Sequence, residues 1–239
     1  MTDFHSPTRP VAVITGGSQG LGLALAEALA DRGWALVIDA RRVDRLEVAA
    51  ARLAARTTVT AIAGDVTDAG HRRALADAAN ALGPVRLLVN NASTLGVSPL
   101  PRLSEISAET LARVFDVNVV APIALLQALG PQLSKGATVI NITSDAGVEP
   151  YEGWGGYGSA KAALEHASRV LDVERPDLRV LVVDPGDMRT EMHQAAFPGE
   201  DISDRVEPSA VVPALLRLLD QRPPSGRYRA GEFAIEAVR

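Results

Sequence analysis

Tyr157 and Lys161 stand four residues apart in Tyr-Gly-Ser-Ala-Lys, and Ser144 precedes the tyrosine by thirteen positions. On a helix, residues i and i+4 share one face, which sets an ammonium beside a phenol. A free tyrosine titrates near pH 10, too high for proton transfer at neutrality. A neighbouring cation favours the phenolate and lowers that value, each unit corresponding to about 1.4 kcal/mol. Such a phenol can give a proton to a carbonyl oxygen or take one from an alcohol. Far upstream, Gly16, Gly20 and Gly22 lie in Thr15-Gly-Gly-Ser-Gln-Gly-Leu-Gly22. Without a Cβ at these positions, backbone can approach a pyrophosphate seated on the N-terminus of the following helix. The spacing is Thr-Gly-x-x-x-Gly-x-Gly, distinct from the general Gly-x-Gly-x-x-Gly dinucleotide pattern. Each feature has an ordinary reading when isolated. A serine after a strand is usually a cap, a lone asparagine bonds local backbone, and Tyr and Lys at helical spacing usually decorate a surface.

The elements that must position these groups alternate along the chain. Val11–Thr15 is a short apolar run of strand character, and Leu21–Asp31 reads as a helix punctuated by Gly33. Strands are expected at Leu36–Ala40, Val59–Ala63, Val85–Val89, Thr138–Ile142 and Arg179–Val183, with a short last one near Phe233–Ile235. Between them come helices at Val43–Arg56, from Asp68 (its cap) to Leu82, Ser107–Leu129, Trp154–Val173 and Pro208–Asp220. Gly186–Arg205 reads as an irregular excursion. The strands are continuously apolar, the pattern of a parallel sheet covered on both faces. Right-handed crossovers then give a doubly wound α/β sheet whose ligand crevice lies at the strand C-terminal ends. One domain accounts for all 239 residues.

Bulk properties exclude several classes. A formal net charge of -5 argues against a nucleic-acid surface, which needs a basic stripe. No apolar run reads as long enough to span a bilayer, and the first ten residues are polar. The absence of cysteine removes disulfides and thiolate metal sites, and the four histidines form no short-spaced ligand pair. No metal is expected, and a soluble cytoplasmic protein is the default.

The order and spacing of these pieces resemble the short-chain dehydrogenase/reductase family over essentially the whole chain. The likeness is carried by Thr15–Gly22, Gly64-Asp-Val-Thr67, Val89-Asn-Asn-Ala-Ser93, Asn118, Ser144, Tyr157 with Lys161, and Pro185-Gly-Asp-Met-Arg-Thr190. The resemblance implies a single Rossmann domain of about seven strands and an NAD(P)-dependent oxidoreductase acting on a small carbonyl or alcohol. It casts Tyr157 as general acid/base, Lys161 as the group that lowers its pKa and binds the nicotinamide ribose, and Ser144 as donor to the substrate oxygen. Asn118 would hold a water linking Lys161 to solvent. The cofactor would lie on Gly16, Ser18, Gln19, Gly20, Leu21 and Gly22. Asp65 and Val66 would meet the adenine, Asn91 and Ala92 the adenosine side, and Pro185, Gly186, Met188 and Thr190 the nicotinamide. The family's ribose-binding acid falls at Ala40, with Arg41 and Arg42 following, which resembles members that prefer NADP. NAD stays open, because Asp39 is one residue early and Gln19 stands where NADP-preferring relatives often carry a basic residue. The family usually has glycine in place of Ser93.

A substrate loop is expected at 187–206, with the pocket drawing on Thr94–Val97, Asp145, Glu149, Trp154, Met192, His193 and Phe197. A homodimer or homotetramer is the family expectation. Two other classes stay open at this point: a cofactor-binding regulator with little turnover, and a lyase-type relative such as a halohydrin dehalogenase, which lacks the glycine cradle.

Overall fold

The structure is a computed structural model that describes residues 9–233. Seven parallel strands form one sheet in the order β3-β2-β1-β4-β5-β6-β7. They are β1 (Val11–Ile14), β2 (Ala35–Ala40), β3 (Val59–Ala63), β4 (Val85–Asn90), β5 (Leu133–Ile142), β6 (Arg179–Asp184) and β7 (Gly226–Arg229). The helices are α1 (Gly20–Asp31), α2 (Val43–Ala54), α3 (Ala69–Leu82), α4 (Ala108–Phe115), α5 (Ala121–Leu129), α6 (Gly155–Glu174), α7 (Glu191–Ala196) and α8 (Pro208–Gln221).

The unbroken apolar strands bury both faces, because successive side chains point to opposite sides. Ala12 and Ile14 pack with Leu25 and Leu29 of α1 and with Leu215 and Leu218 of α8. Val11 and Val13 pack on the other face with Leu75 and Ala79 of α3 and Leu125 and Leu129 of α5. The strand order reverses between β1 and β4, which opens a crevice at their C-terminal ends. The helix starts follow capping chemistry: Asp68 accepts from the His71 N–H at 2.6 Å, and Ser107 from the Thr110 N–H at 3.1 Å.

Several boundaries differ from the sequence reading. The last strand is Gly226–Arg229, and Phe233 lies in a 3-10 turn; Ile235 falls outside the described residues. The 107–129 stretch is helical throughout but passes through a π turn at Asp116–Val120, where the Ala121 N–H bonds to the Asp116 carbonyl. By length and composition this stretch could cross a membrane, which corrects the expectation that no run is long enough. Here its apolar residues Leu125 and Leu129 are in the core against α3. The excursion after β6 contains α7, whose start is capped by Thr190 accepting from the His193 N–H at 3.1 Å.

Candidate active site

The strand C-terminal ends and the loops after them enclose a cleft of about 370 Å³. The glycine turn forms one wall. Gly16 and Gly20 have φ of +68° and +57°, a region that only glycine enters without strain. A Cβ on Gly22 would lie 2.4 Å from the Gly16 carbonyl oxygen, so α1 meets the turn through a position that tolerates no side chain. Asn91 clamps the same turn, its Nδ2 donating to the Thr15 carbonyl at 2.9 Å, while Thr15 Oγ1 accepts from the Asn91 and Ala92 N–H groups at 3.0 Å each. The cradle is thus preformed and open to a pyrophosphate at the N-terminus of α1, and the residues fit a dinucleotide.

At the β2 end of the cleft, Asp39 is already engaged by protein groups. It is 1% exposed; Oδ1 accepts from the Gly16 N–H at 2.7 Å and Oδ2 meets His71 Nε2 at 2.9 Å. Arg41 is exposed on the cleft and forms no ion pair among the described residues. Arg42 is held by Asp44 at 2.8 Å. Asp65 accepts from the Thr67 N–H at 2.9 Å, the Thr67 hydroxyl at 2.7 Å and Arg113 at 2.5 Å. Burial opposes its ionisation, but these donors and the Arg113 charge win and hold the carboxyl down at about 2. One further lone pair remains on Oδ2 for a ligand.

At the other end, α6 presents Tyr157 and Lys161 on the face that the i, i+4 spacing requires. Gly158 lets α6 come this close, since a Cβ there would lie 2.4 Å from the Ala146 carbonyl oxygen. Tyr157 is buried, with Trp154 edge-on at 5.7 Å between ring centroids. Lys161 is buried too, its Nζ 5.4 Å from the phenol ring centroid and donating to the Ile142 carbonyl at 2.9 Å. Burial lowers the ammonium pKa to about 8, with Glu165 opposing the fall. The spacing argument expected Lys161 to lower the phenol's pKa, and here the balance differs. Burial pushes Tyr157 well above the usual tyrosine value, helped by Asp184 and Asp145, and the opposing groups are the Ser93 and Ser144 hydroxyls. The phenol therefore holds its proton at neutral pH.

Ser144 caps the 3-10 turn at Asp145–Gly147, accepting from the Ala146 N–H at 3.2 Å, and its Oγ donates to Asp145 at 2.9 Å. Both the capping role and a place beside the phenol belong to the same hydroxyl. Asn118 sits on the π turn, 1% exposed, beneath the cleft rather than in its lining. Its Oδ1 accepts from Ser93 Oγ at 2.7 Å and the Thr94 N–H at 3.1 Å, and its Nδ2 donates to the Thr94 carbonyl at 2.8 Å. That leaves only the second Nδ2 hydrogen for a water. A π turn in a helix recurs at functional sites because it re-aims the residues it carries.

Of the residues expected to hold the cofactor, all line the cleft except Gly22, which packs beneath the turn. Of the residues expected around the substrate, Leu95, Asp145, Trp154, Met192 and His193 line the cleft, and the Phe197 ring contacts Trp154 and His193. Glu149 lies instead on a neighbouring surface depression with Tyr151, and Val97 is largely exposed.

Comparison with known proteins agrees with this geometry. The profile described as short chain dehydrogenase matches residues 10–201. The chain belongs to the short-chain dehydrogenase/reductase family. It is 35% identical over 198 residues to an uncharacterized oxidoreductase of Methylorubrum extorquens, covering 80% of this chain and 79% of that protein. It is 35% identical over 190 residues to the Arabidopsis thaliana short-chain dehydrogenase/reductase SDRA, covering 78% and 73%. Among solved structures, the alcohol dehydrogenase of the archaeon Thermococcus sibiricus complexed with 5-hydroxy-NADP superposes with a TM-score of 0.83 at 30% identity, covering 92% of this chain and 95% of that one. The chain is an oxidoreductase with an NAD(P)-binding Rossmann fold.

The structure also places residues in this family member's site that the sequence did not flag. Arg113 of α4 reaches Asp65 across the cleft floor. Arg45 of α2 bonds Gln19 of the glycine turn and pairs at 2.7 Å with Glu191 at the start of α7, tying the glycine turn to the segment after β6. Arg227 of β7 donates to Glu165 at 3.1 Å and to Asp184 and the Ser144 carbonyl at 3.2 Å each. None of these carries a local sequence signal; each is an ordinary arginine whose partner comes from a distant strand or helix.

Proposed function

We propose that the protein is an NADPH-dependent reductase of a small carbonyl compound, with Tyr157 as general acid. The observation that carries the reading is the protonated, buried phenol of Tyr157, lying between the Ser144 and Ser93 hydroxyls in the cleft that holds the glycine cradle. NADPH, when bound, supplies the hydride. The remaining work falls to the chain. Ser144 turns its hydroxyl from Asp145 toward the substrate oxygen and orients it. Tyr157 gives its proton to that oxygen as negative charge develops, a contribution typically of about 10²–10⁴ in rate. Lys161 keeps two N–H bonds beyond the one to Ile142 for the cofactor ribose, and its charge stabilises the phenolate left behind. Asn118 holds the Ser93–Thr94 loop that forms the far side of the phenol's pocket. The expected turnover assay follows NADPH oxidation over ketones, aldehydes and quinones; turnover that survives in Tyr157→Phe at wild-type rate would end this reading.

The preference for NADP rests on Asp39 and Arg41 together. An acid that binds a ribose must face the cleft, whereas Asp39 is committed to His71 and the Gly16 N–H. Arg41 is free to grip a 2′-phosphate bidentately. We further propose that 187–206, with α7, is the substrate loop. A homo-oligomer is supported by exposed Val120 and Ile123 on the 116–129 stretch and Val170 and Val173 on adjacent α6. Equilibrium sedimentation measures that state directly.

A further inference from the structure

At the opposite end of the sheet, where β5 and β6 begin, a second cavity of about 350 Å³ opens. It is lined by Arg9, Arg32, Arg86, Arg179 and Arg222, with Asp220 as the sole carboxylate among its lining residues. Asp220 is already taken by Arg32 at 2.8 Å. Arg179 forms the buried floor; its guanidinium donates to Thr138 Oγ1 at 2.7 Å and to the Leu218 carbonyl at 3.3 Å, and it has no carboxylate partner among the described residues. Burial and the facing Arg222 together lower its pKa to about 10. Arg222 is the one non-glycine residue with positive φ among the described residues, at 51°, and its guanidinium donates to the Gly136 carbonyl at 3.0 Å. Arg9 and Arg86 are exposed and form no ion pair among the described residues.

Helix ends account for part of this. Arg32 and Arg222 cap the C-termini of α1 and α8, and each such end presents roughly half a negative charge. Two ends and one carboxylate still leave several guanidinium charges unbalanced, in a chain whose formal net charge is -5. Converging cations repel one another, and planar guanidinium forks are matched to phosphate and carboxylate oxygens. We propose that this cavity binds a small multivalent anion, a phosphate ester or polycarboxylate, at a site separate from the dinucleotide cleft. The β6 strand spans the two, with Arg179 at its start and Asp184 at the cleft.

Trp34 lines the cavity and serves as a reporter. With Trp154 replaced by Phe, it is the sole indole of the two in the chain. The protein is saturated with NADP⁺ so that the cleft's phosphate sites are filled, then titrated at fixed ionic strength with inorganic pyrophosphate and, separately, citrate. Calorimetry on the unsubstituted holoprotein runs in parallel. The expected result is saturable binding of one anion per chain, seen by Trp34 and weakened about tenfold by Arg86→Gln and by Arg222→Gly. Glycine accepts the left-handed backbone at position 222, so this second variant keeps the turn. Binding of pyrophosphate but not citrate assigns the site to phosphate esters, and the reverse to carboxylates. No saturable binding, or binding that both variants leave unchanged, overturns the proposal.

Discussion

Replacing Arg41 with alanine separates the two nicotinamide cofactors in a way that the geometry makes quantitative. The Arg41 guanidinium is exposed and pairs with no carboxylate among the described residues, so its removal breaks no ion pair there. On the proposed reading, what is lost is its grip on a 2′-phosphate, and hydrogen bonds to charged groups contribute about 1.5–3 kcal/mol. NADPH should bind roughly 10- to 150-fold more weakly, while NADH, which has no 2′-phosphate, should change by less than about twofold. Arg42→Ala should cost NADPH less, because that guanidinium is already held by Asp44. Titrations of protein fluorescence with each cofactor, at matched ionic strength, measure the constants for wild type and both variants. Equal weakening of NADPH and NADH in Arg41→Ala would refute the 2′-phosphate assignment. So would unchanged NADPH affinity, and attention would then pass to Arg42 and Arg45.

Tyr157→Phe should lower kcat by about 10²- to 10⁴-fold while leaving NADPH affinity within about twofold, measured by turnover and cofactor titration. Gly22→Ala drives a Cβ against the Gly16 carbonyl, which is backbone and cannot move aside; a loss of about 3 kcal/mol or more, roughly 6–12 °C in Tm, is expected by calorimetry. Lys161 has a folded pKa of about 8 against 10.5 unfolded, so the unfolded chain binds more protons between these values and stability rises with pH there. From pH 8 to 9.5 the ligand-free wild type should gain about 1.5 kcal/mol relative to Lys161→Met in urea unfolding. A flat difference across that window would mean that burial does not lower the lysine's pKa in the folded protein.

The chain's local patterns determined a great deal on their own. Continuous apolar strands alternating with capped, half-apolar helices dictate a covered parallel sheet, because no other layer arrangement buries both strand faces. Glycines at 16, 20 and 22 mark a turn that must enter left-handed space and let a helix touch backbone. The Tyr157–Lys161 spacing puts both side chains on one face of α6, since helical geometry is set over four residues. The π turn and α7 were not legible, because each interrupts or shortens a helix in response to packing. Long-range contact decided the rest. Asp39 reads as a ribose ligand displaced by one residue until His71, from a helix beyond the next strand, is seen to occupy it. Lys161 reads as a cation that activates a phenol, yet burial of both groups sets their protonation, and burial depends on how α6 lies against β5 and the Ser93 loop. The arginines at positions 45, 113 and 227, and those of the second cavity, are scattered along the sequence. Only the parallel winding, which gathers strand starts at one end of the sheet and strand ends at the other, brings them together.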